Sequence, residues 1–83
     1  RRGRGDSVVP ASFRALGVTS RELDVLKLVE AGRSNREIAD ALHMSPKTVE
    51  RHLTSLFDRT GIRNRGDLGA FARVQPGWDD TAN

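Results

Sequence analysis

The sequence has no cysteine. That absence excludes disulfides, a thiol nucleophile and any cysteine-ligated metal, and it fits a reducing compartment. Long apolar runs are missing too: none approaches the length that crosses a bilayer, and nothing resembles a signal peptide. A soluble, cytoplasmic protein with no membrane partner is expected. Histidine is limited to His43 and His52, too few for a metal site of the usual ligand count. There is no glycine-rich phosphate loop, and the carboxylates fall mostly at helix starts or on solvent faces. The expectation is therefore no enzyme, no metal and no cofactor.

What remains is one small domain of 83 residues, near the lower size at which a core holds a fold without staples. The formal charge of +3 and pI of about 10.6 permit nucleic-acid binding but are too small to argue for it alone. The chain starts at Arg1 rather than Met, which reads as a piece of something longer.

Three zones are expected: a flexible linker or arm over residues 1–15, a folded domain over 16–73, and a flexible tail over 74–83. The first zone mixes Gly, Arg, Pro and Ser without periodicity, although Phe13 carries apolar surface that can dock on the domain, as does Leu16 just beyond. Arg1, Arg2 and Arg4 read as a solvated end, with a basic arm along a nucleic-acid backbone as the alternative. Arg4-Gly5-Asp6 spells an adhesion tripeptide, which in a basic, cysteine-free domain is read as chance. In the tail, Pro76-Gly77 precedes and Asp79-Asp80 follows Trp78, so that residue is read as exposed rather than folded back.

Within the domain the fold class is all-α, with four helices. Thr19-Ser20-Arg21-Glu22 matches a capping box, Val18 and Leu23 can staple the start, and Leu23, Val25, Leu26, Leu28 and Val29 form a broad apolar face that stops at Gly32. Ser34 and Glu37 cap a short second helix through Ile38, Ala39 and Leu42 to His43. After only His43 and Met44, Ser45 caps a third helix over residues 46–59, with Pro46 at its first position and Met44 and Val49 as a staple. Two helices joined by so tight a turn are a helix-turn-helix, and the small Ala39 lets them approach closely. Thr60-Gly61-Ile62-Arg63 breaks the pattern, and Asn64 with Asp67 opens a last helix through Leu68, Phe71 and Ala72.

The third helix has two different faces. Val49, Leu53, Leu56 and Phe57 recur at core spacing, whereas Lys47, Glu50, Arg51, Thr54 and Asp58 fall on the opposite side. Arginine can donate two hydrogen bonds to guanine, glutamate can accept from cytosine, threonine can touch a thymine methyl or a base edge, and lysine and serine suit phosphate. The alternative is a solvated face whose charges only keep the helix soluble. Lys47 and Thr48 lie in the first turn, near the positive dipole end, and Arg36 lies in the first turn of the preceding helix. His52 sits at the edge between the faces, suited to a core hydrogen bond or to a phosphate contact.

Several ordered blocks carry a resemblance to a known family: Thr19-x-Arg21-Glu22-x-x-Val25-Leu26-x-Leu28-Val29, Gly32-x-Ser34-Asn35-Arg36-Glu37-Ile38-Ala39, Leu42, Ser45-x-x-Thr48-Val49-x-x-His52, then Gly61 and Asn64-Arg65. Over residues 16–73 the chain closely resembles the LuxR-type (LuxR/FixJ) DNA-binding domain of bacterial transcription regulators. The resemblance implies sequence-specific binding of double-stranded DNA, with the third helix in the major groove and the fourth supporting a homodimer. It places Glu50, Arg51 and Thr54 at base-contacting positions, and Asn35, Arg36, Ser45, Lys47 and Thr48 at backbone-contacting positions. RNA polymerase is an implied partner. Glu50 departs from the family, where lysine is frequent; a carboxylate repels phosphate and requires a cytosine-like donor if it meets a base, unless it pairs with Arg36 or Thr54. In the last helix Gly66, Gly69, Ala70 and Arg73 share one face, and each mid-helix glycine costs about 1 kcal/mol relative to alanine. Close approach of a second copy is one account of them, with dimerisation on DNA and a weak or absent dimer in free solution; a short fraying helix is the other. Rival readings are a sigma-factor-like promoter-reading domain and a protein-interaction module, the latter separable from DNA binding by salt.

Overall fold

The computed structural model describes residues 9–78. The expectations for Arg1, Arg2, Arg4 and the Arg4-Gly5-Asp6 tripeptide, and for residues 79–83, lie outside them. The described residues are helical and turn-forming throughout, in the order α1 (Ala11–Ala15), α2 (Ser20–Glu30), α3 (Asn35–Leu42), α4 (Pro46–Thr60) and α5 (Arg65–Arg73). The four expected helices are α2 to α5, and α1 is additional.

Local chemistry sets each boundary. Thr19 and Ser34 both close full capping boxes: the Glu22 N–H donates to Thr19 Oγ1 and the Thr19 N–H to Glu22 Oε1, each at 3.1 Å, while the corresponding Ser34–Glu37 bonds are 3.1 and 2.9 Å. Asn64 Oδ1 accepts the Asp67 N–H at 2.8 Å, and Asn64 Nδ2 returns a bond to the Asp67 carboxylate at 3.0 Å. Just past the end of helix α2, Gly32 turns the chain, and its φ of +87° lets the Arg33 N–H reach back to the Leu28 carbonyl at 3.0 Å. Helix α3 ends differently. There the left-handed position is filled by His43, at φ 58° and ψ 47°, and the Met44 N–H closes on Ala39 O at 3.0 Å.

Helix α2 is the spine, packed against α3, α4 and α5, with α3 and α4 also packed on each other. Its Leu23, Val25 and Leu26 are fully buried and meet Ile38 of α3, Val49 and Leu56 of α4, and Leu68 of α5 in one core. An ion pair ties the start of α2 to the end of α4. Arg59 Nη1 donates to Glu22 Oε1 at 2.6 Å and also to the Gly17 carbonyl, so the buried Glu22 carboxylate accepts from both Arg59 and the Thr19 N–H.

The structure revises two expectations at the flanks. Residues 9–15 were expected as linker, yet Pro10 and Phe13 are buried, and the Phe13 ring meets Phe71 edge-on at 5.8 Å between centroids. Trp78 was expected to be exposed and is 7% exposed. Pro76-Gly77 occupies the centre of a turn that the Trp78 N–H closes on Gln75 O at 3.1 Å, with Gly77 at φ +87°. Proline then glycine is the pair a type II turn favours, so it folds the chain back instead of releasing it. A small aromatic cluster of Phe13, Phe71 and Trp78 results.

Candidate nucleic-acid interface

The outward face of α4 is built as the helical period requires. Lys47, Glu50, Arg51, Thr54 and Asp58 are all exposed, and at 3.6 residues per turn they share an arc of about 100°. Val49, Leu53 and Leu56 are buried on the other side, which fixes the rotation of the helix about its axis. His52 is half-buried at the margin between the two.

Among the described residues, Arg36, Lys47, Glu50, Arg51 and Thr54 enter no side-chain hydrogen bond or ion pair. The pairing of Glu50 with Arg36 or Thr54 is therefore not formed. Other charged groups are engaged, Arg59 with Glu22, Arg65 with Asn35, and Arg21 with Asp24 and with the Leu42 carbonyl, whereas Asp58 on the same arc and Arg63 just past α4 are not engaged among the described residues.

The N-terminal turn of α4 is mostly self-satisfied. Ser45 Oγ accepts the Thr48 N–H at 3.1 Å and pairs with Thr48 Oγ1 at 2.9 Å, while Pro46 has no N–H to offer. Of the two hydroxyl protons only one can lie between Ser45 and Thr48, so the other is free to donate outward. With the Lys47 N–H and ammonium, this makes a compact donor group at the positive end of the helix dipole. Arg36, exposed in the first turn of α3, adds a second such point.

Asn35 is held rather than free. Arg65 Nη1 donates to its Oδ1 at 2.6 Å and Arg65 Nη2 to the Arg33 carbonyl at 2.7 Å, which leaves the Asn35 amide N–H groups as the outward donors. Arg65 thus fixes the Asn35 side chain, a role that its place in the Asn64-Arg65 motif does not announce. The contact joins residues 30 apart in the chain, so no local periodicity reveals it.

The four residues expected at a dimer face divide. Gly66 and Ala70 are exposed, and Arg73 is largely exposed while reaching Glu30 of α2 at 3.2 Å. Gly69 does not share that exposed face: it is buried, and a Cβ there would lie 3.4 Å from Glu30 Cα. The close approach this glycine permits is between α5 and α2 of the same chain. Val74, at 75% exposed, follows Ala70 by one turn and extends the exposed stripe.

No described helix is long and apolar enough to cross a membrane, and no described group of three or more His, Asp or Glu residues could hold a metal ion.

Residues 17–72 match the sequence profile of the family described as bacterial regulatory proteins, luxR family. A Mycobacterium bovis protein that carries a provisional name as an HTH-type transcriptional regulator is 44% identical over 68 residues, which cover 81% of this chain and 8% of that protein. The transcriptional regulatory protein ComA of Bacillus subtilis is 41% identical over 56 residues, covering 68% of this chain and 26% of ComA. The oxygen regulatory protein NreC of Staphylococcus aureus is 38% identical over 55 residues, covering 66% of this chain and 25% of NreC. The chain therefore spans about a quarter or less of the length of these relatives. No solved structure matches the chain.

Proposed function

The chain belongs to the luxR family of bacterial regulatory proteins, and from that premise we propose that it binds double-stranded DNA sequence-specifically, as the output domain of a transcription regulator, with α4 in the major groove. The observation that carries this reading is the set of exposed, unpaired side chains on one arc of α4, in a domain whose other charged groups are largely paired. Glu50, Arg51 and Thr54 reach base edges, Arg51 donating two bonds to guanine O6 and N7. Asn35, Arg36, Ser45, Lys47 and Thr48 hold the phosphate backbone and fix the register. Two copies meet on DNA through the exposed stripe of Gly66, Ala70, Arg73 and Val74, over half-sites about one helical turn apart. The site lies in the cytoplasm, and RNA polymerase is the downstream partner.

The test is selection of bound duplexes from a random pool with wild type and Arg51→Ala at two salt concentrations. A two-fold-related motif that changes with Arg51, and affinity that falls steeply with salt, are the expected results. Salt-insensitive capture with no enriched sequence would instead favour a protein-interaction module.

A further inference from the structure

Glu50 is the one carboxylate between Pro46 and Thr54, and it sits on the α4 face beside Lys47 and Arg51. It is exposed and has no partner among the described residues. The carboxylates of Glu22 and Asp67, in the first turns of their helices, are used in caps, and Glu30 is used against Arg73. Glu50 is too far into the helix to cap it and faces away from the core. An unpaired negative charge on a surface apposed to phosphates is unfavourable unless a donor meets it.

Only two bases place a donor in the major groove: cytosine through its 4-amino group and adenine through its 6-amino group. In adenine the neighbouring N7 is an acceptor, so a carboxylate that reaches N6 is also set against a lone pair. Cytosine has only a C–H at that side. We propose that Glu50 is a specificity-determining residue that accepts from the 4-amino group of a cytosine next to the guanine read by Arg51, and that it suppresses binding to sequences lacking that cytosine. The proposal rests on the DNA-binding reading above and adds the base and atom that this position demands.

The two effects of the carboxylate separate in experiment. Glu50→Ala removes both the acceptor and the repulsion; being at an exposed helix position, it leaves the core contacts intact, which a circular-dichroism melt checks. Selection from a random duplex pool with the full chain is expected to enrich cytosine beside the Arg51-dependent guanine in wild type. The variant keeps the guanine and loses the cytosine, and it binds unrelated duplex more tightly than wild type does. On the enriched duplex, replacing that cytosine with its analogue lacking the 4-amino group is expected to weaken wild type by about tenfold or more and to leave Glu50→Ala unchanged. Equal losses in both proteins, or enrichment of the same base by both, would overturn the proposal while leaving DNA binding by Arg51 intact. Absence of any Arg51-dependent motif would overturn the parent reading and this one with it.

Discussion

The Trp78 ring packs against Phe13 with centroids 6.1 Å apart and planes tilted by 57°, joining the two flanks of the domain over α5. Gly77 lies against Pro10 in the same clasp, where a Cβ at Gly77 would be 3.7 Å from the proline Cβ. The family profile covers residues 17–72, so this clasp extends the core beyond it at both ends. Phe13 is fully buried, and truncating a buried phenylalanine removes about 3–5 kcal/mol, a large share of the stability of so small a domain. Phe13→Ala is expected to lower the urea midpoint accordingly. Trp78 is the single tryptophan, so its fluorescence reports the clasp alone. In wild type that signal and the helical circular dichroism should melt together; separate transitions would show that the clasp is an independent, weaker unit.

Arg59 joins three pieces of chain: the last turn of α4, the Gly17 carbonyl and the buried carboxylate of Glu22. Removing one partner of a fully buried pair costs about 3–5 kcal/mol, and the Arg59 side chain is 34% exposed, which reduces the figure. Arg59→Ala is expected to destabilise by about 2 kcal/mol in chemical denaturation. The double variant Arg59→Met with Glu22→Gln should recover part of that loss, because no uncompensated charge then remains. A double variant as unstable as the sum of its parts would show that the pair acts through packing alone.

Arg65 orders Asn35, so its loss should reach the interface without touching it. Arg65→Ala is expected to weaken binding several-fold on every duplex alike and to leave the enriched sequence unchanged, since phosphate contacts carry no direct sequence information. Arg65→Lys should rescue little, because one ammonium cannot reproduce the forked pair of bonds to Asn35 Oδ1 and Arg33 O. Selection profiles for the variants and wild type check this directly. A changed motif would make Arg65 a reader rather than a support.

His43 is the only described residue other than glycine with positive φ, and it is exposed at the turn between α3 and α4. Left-handed backbone costs a residue with a Cβ about 1–2 kcal/mol, while glycine carries about 0.5–1 kcal/mol of extra unfolded-state entropy. His43→Gly is therefore expected to stabilise by about 0.5 kcal/mol. A rise of a few degrees in Tm is the readout. A clear fall in Tm would mean that the imidazole makes a stabilising contact.

What could be read from the sequence was what is local. The caps at Thr19, Ser34, Ser45 and Asn64 declare themselves within three residues, and the face of α4 declares itself within two turns, so the helix-turn-helix and its exposed arc were accessible from periodicity. The contacts of Arg59 and Arg65 span 37 and 30 residues and have no periodic signature. Trp78 is buried where local composition predicts exposure, because Pro76-Gly77 breaks helical periodicity and is also a turn signal that folds a following apolar residue back. Helical spacing groups Gly69 with Gly66, but spacing does not distinguish a small residue that faces another helix of its own chain from one that faces another copy. Gly69 faces Glu30.

That distinction yields a separate test for Gly66. A Cβ at Gly66 would meet only Asn64 Oδ1, at 3.6 Å, and its backbone φ is not in the left-handed region. Gly66→Ala is therefore free of strain within the chain and is expected to stabilise it by about 0.5 kcal/mol through reduced unfolded-state entropy. If the stripe of Gly66, Ala70 and Val74 is where two copies meet on DNA, a bulkier Gly66→Leu should lose cooperative binding to a two-half-site duplex. It should keep its affinity for a single half-site, because α4 is untouched. Titration of one-site and two-site duplexes by gel shift separates the two. Unchanged cooperativity in Gly66→Leu would move the dimer contact away from the start of α5, whereas equal weakening on both duplexes would point to damage within the monomer.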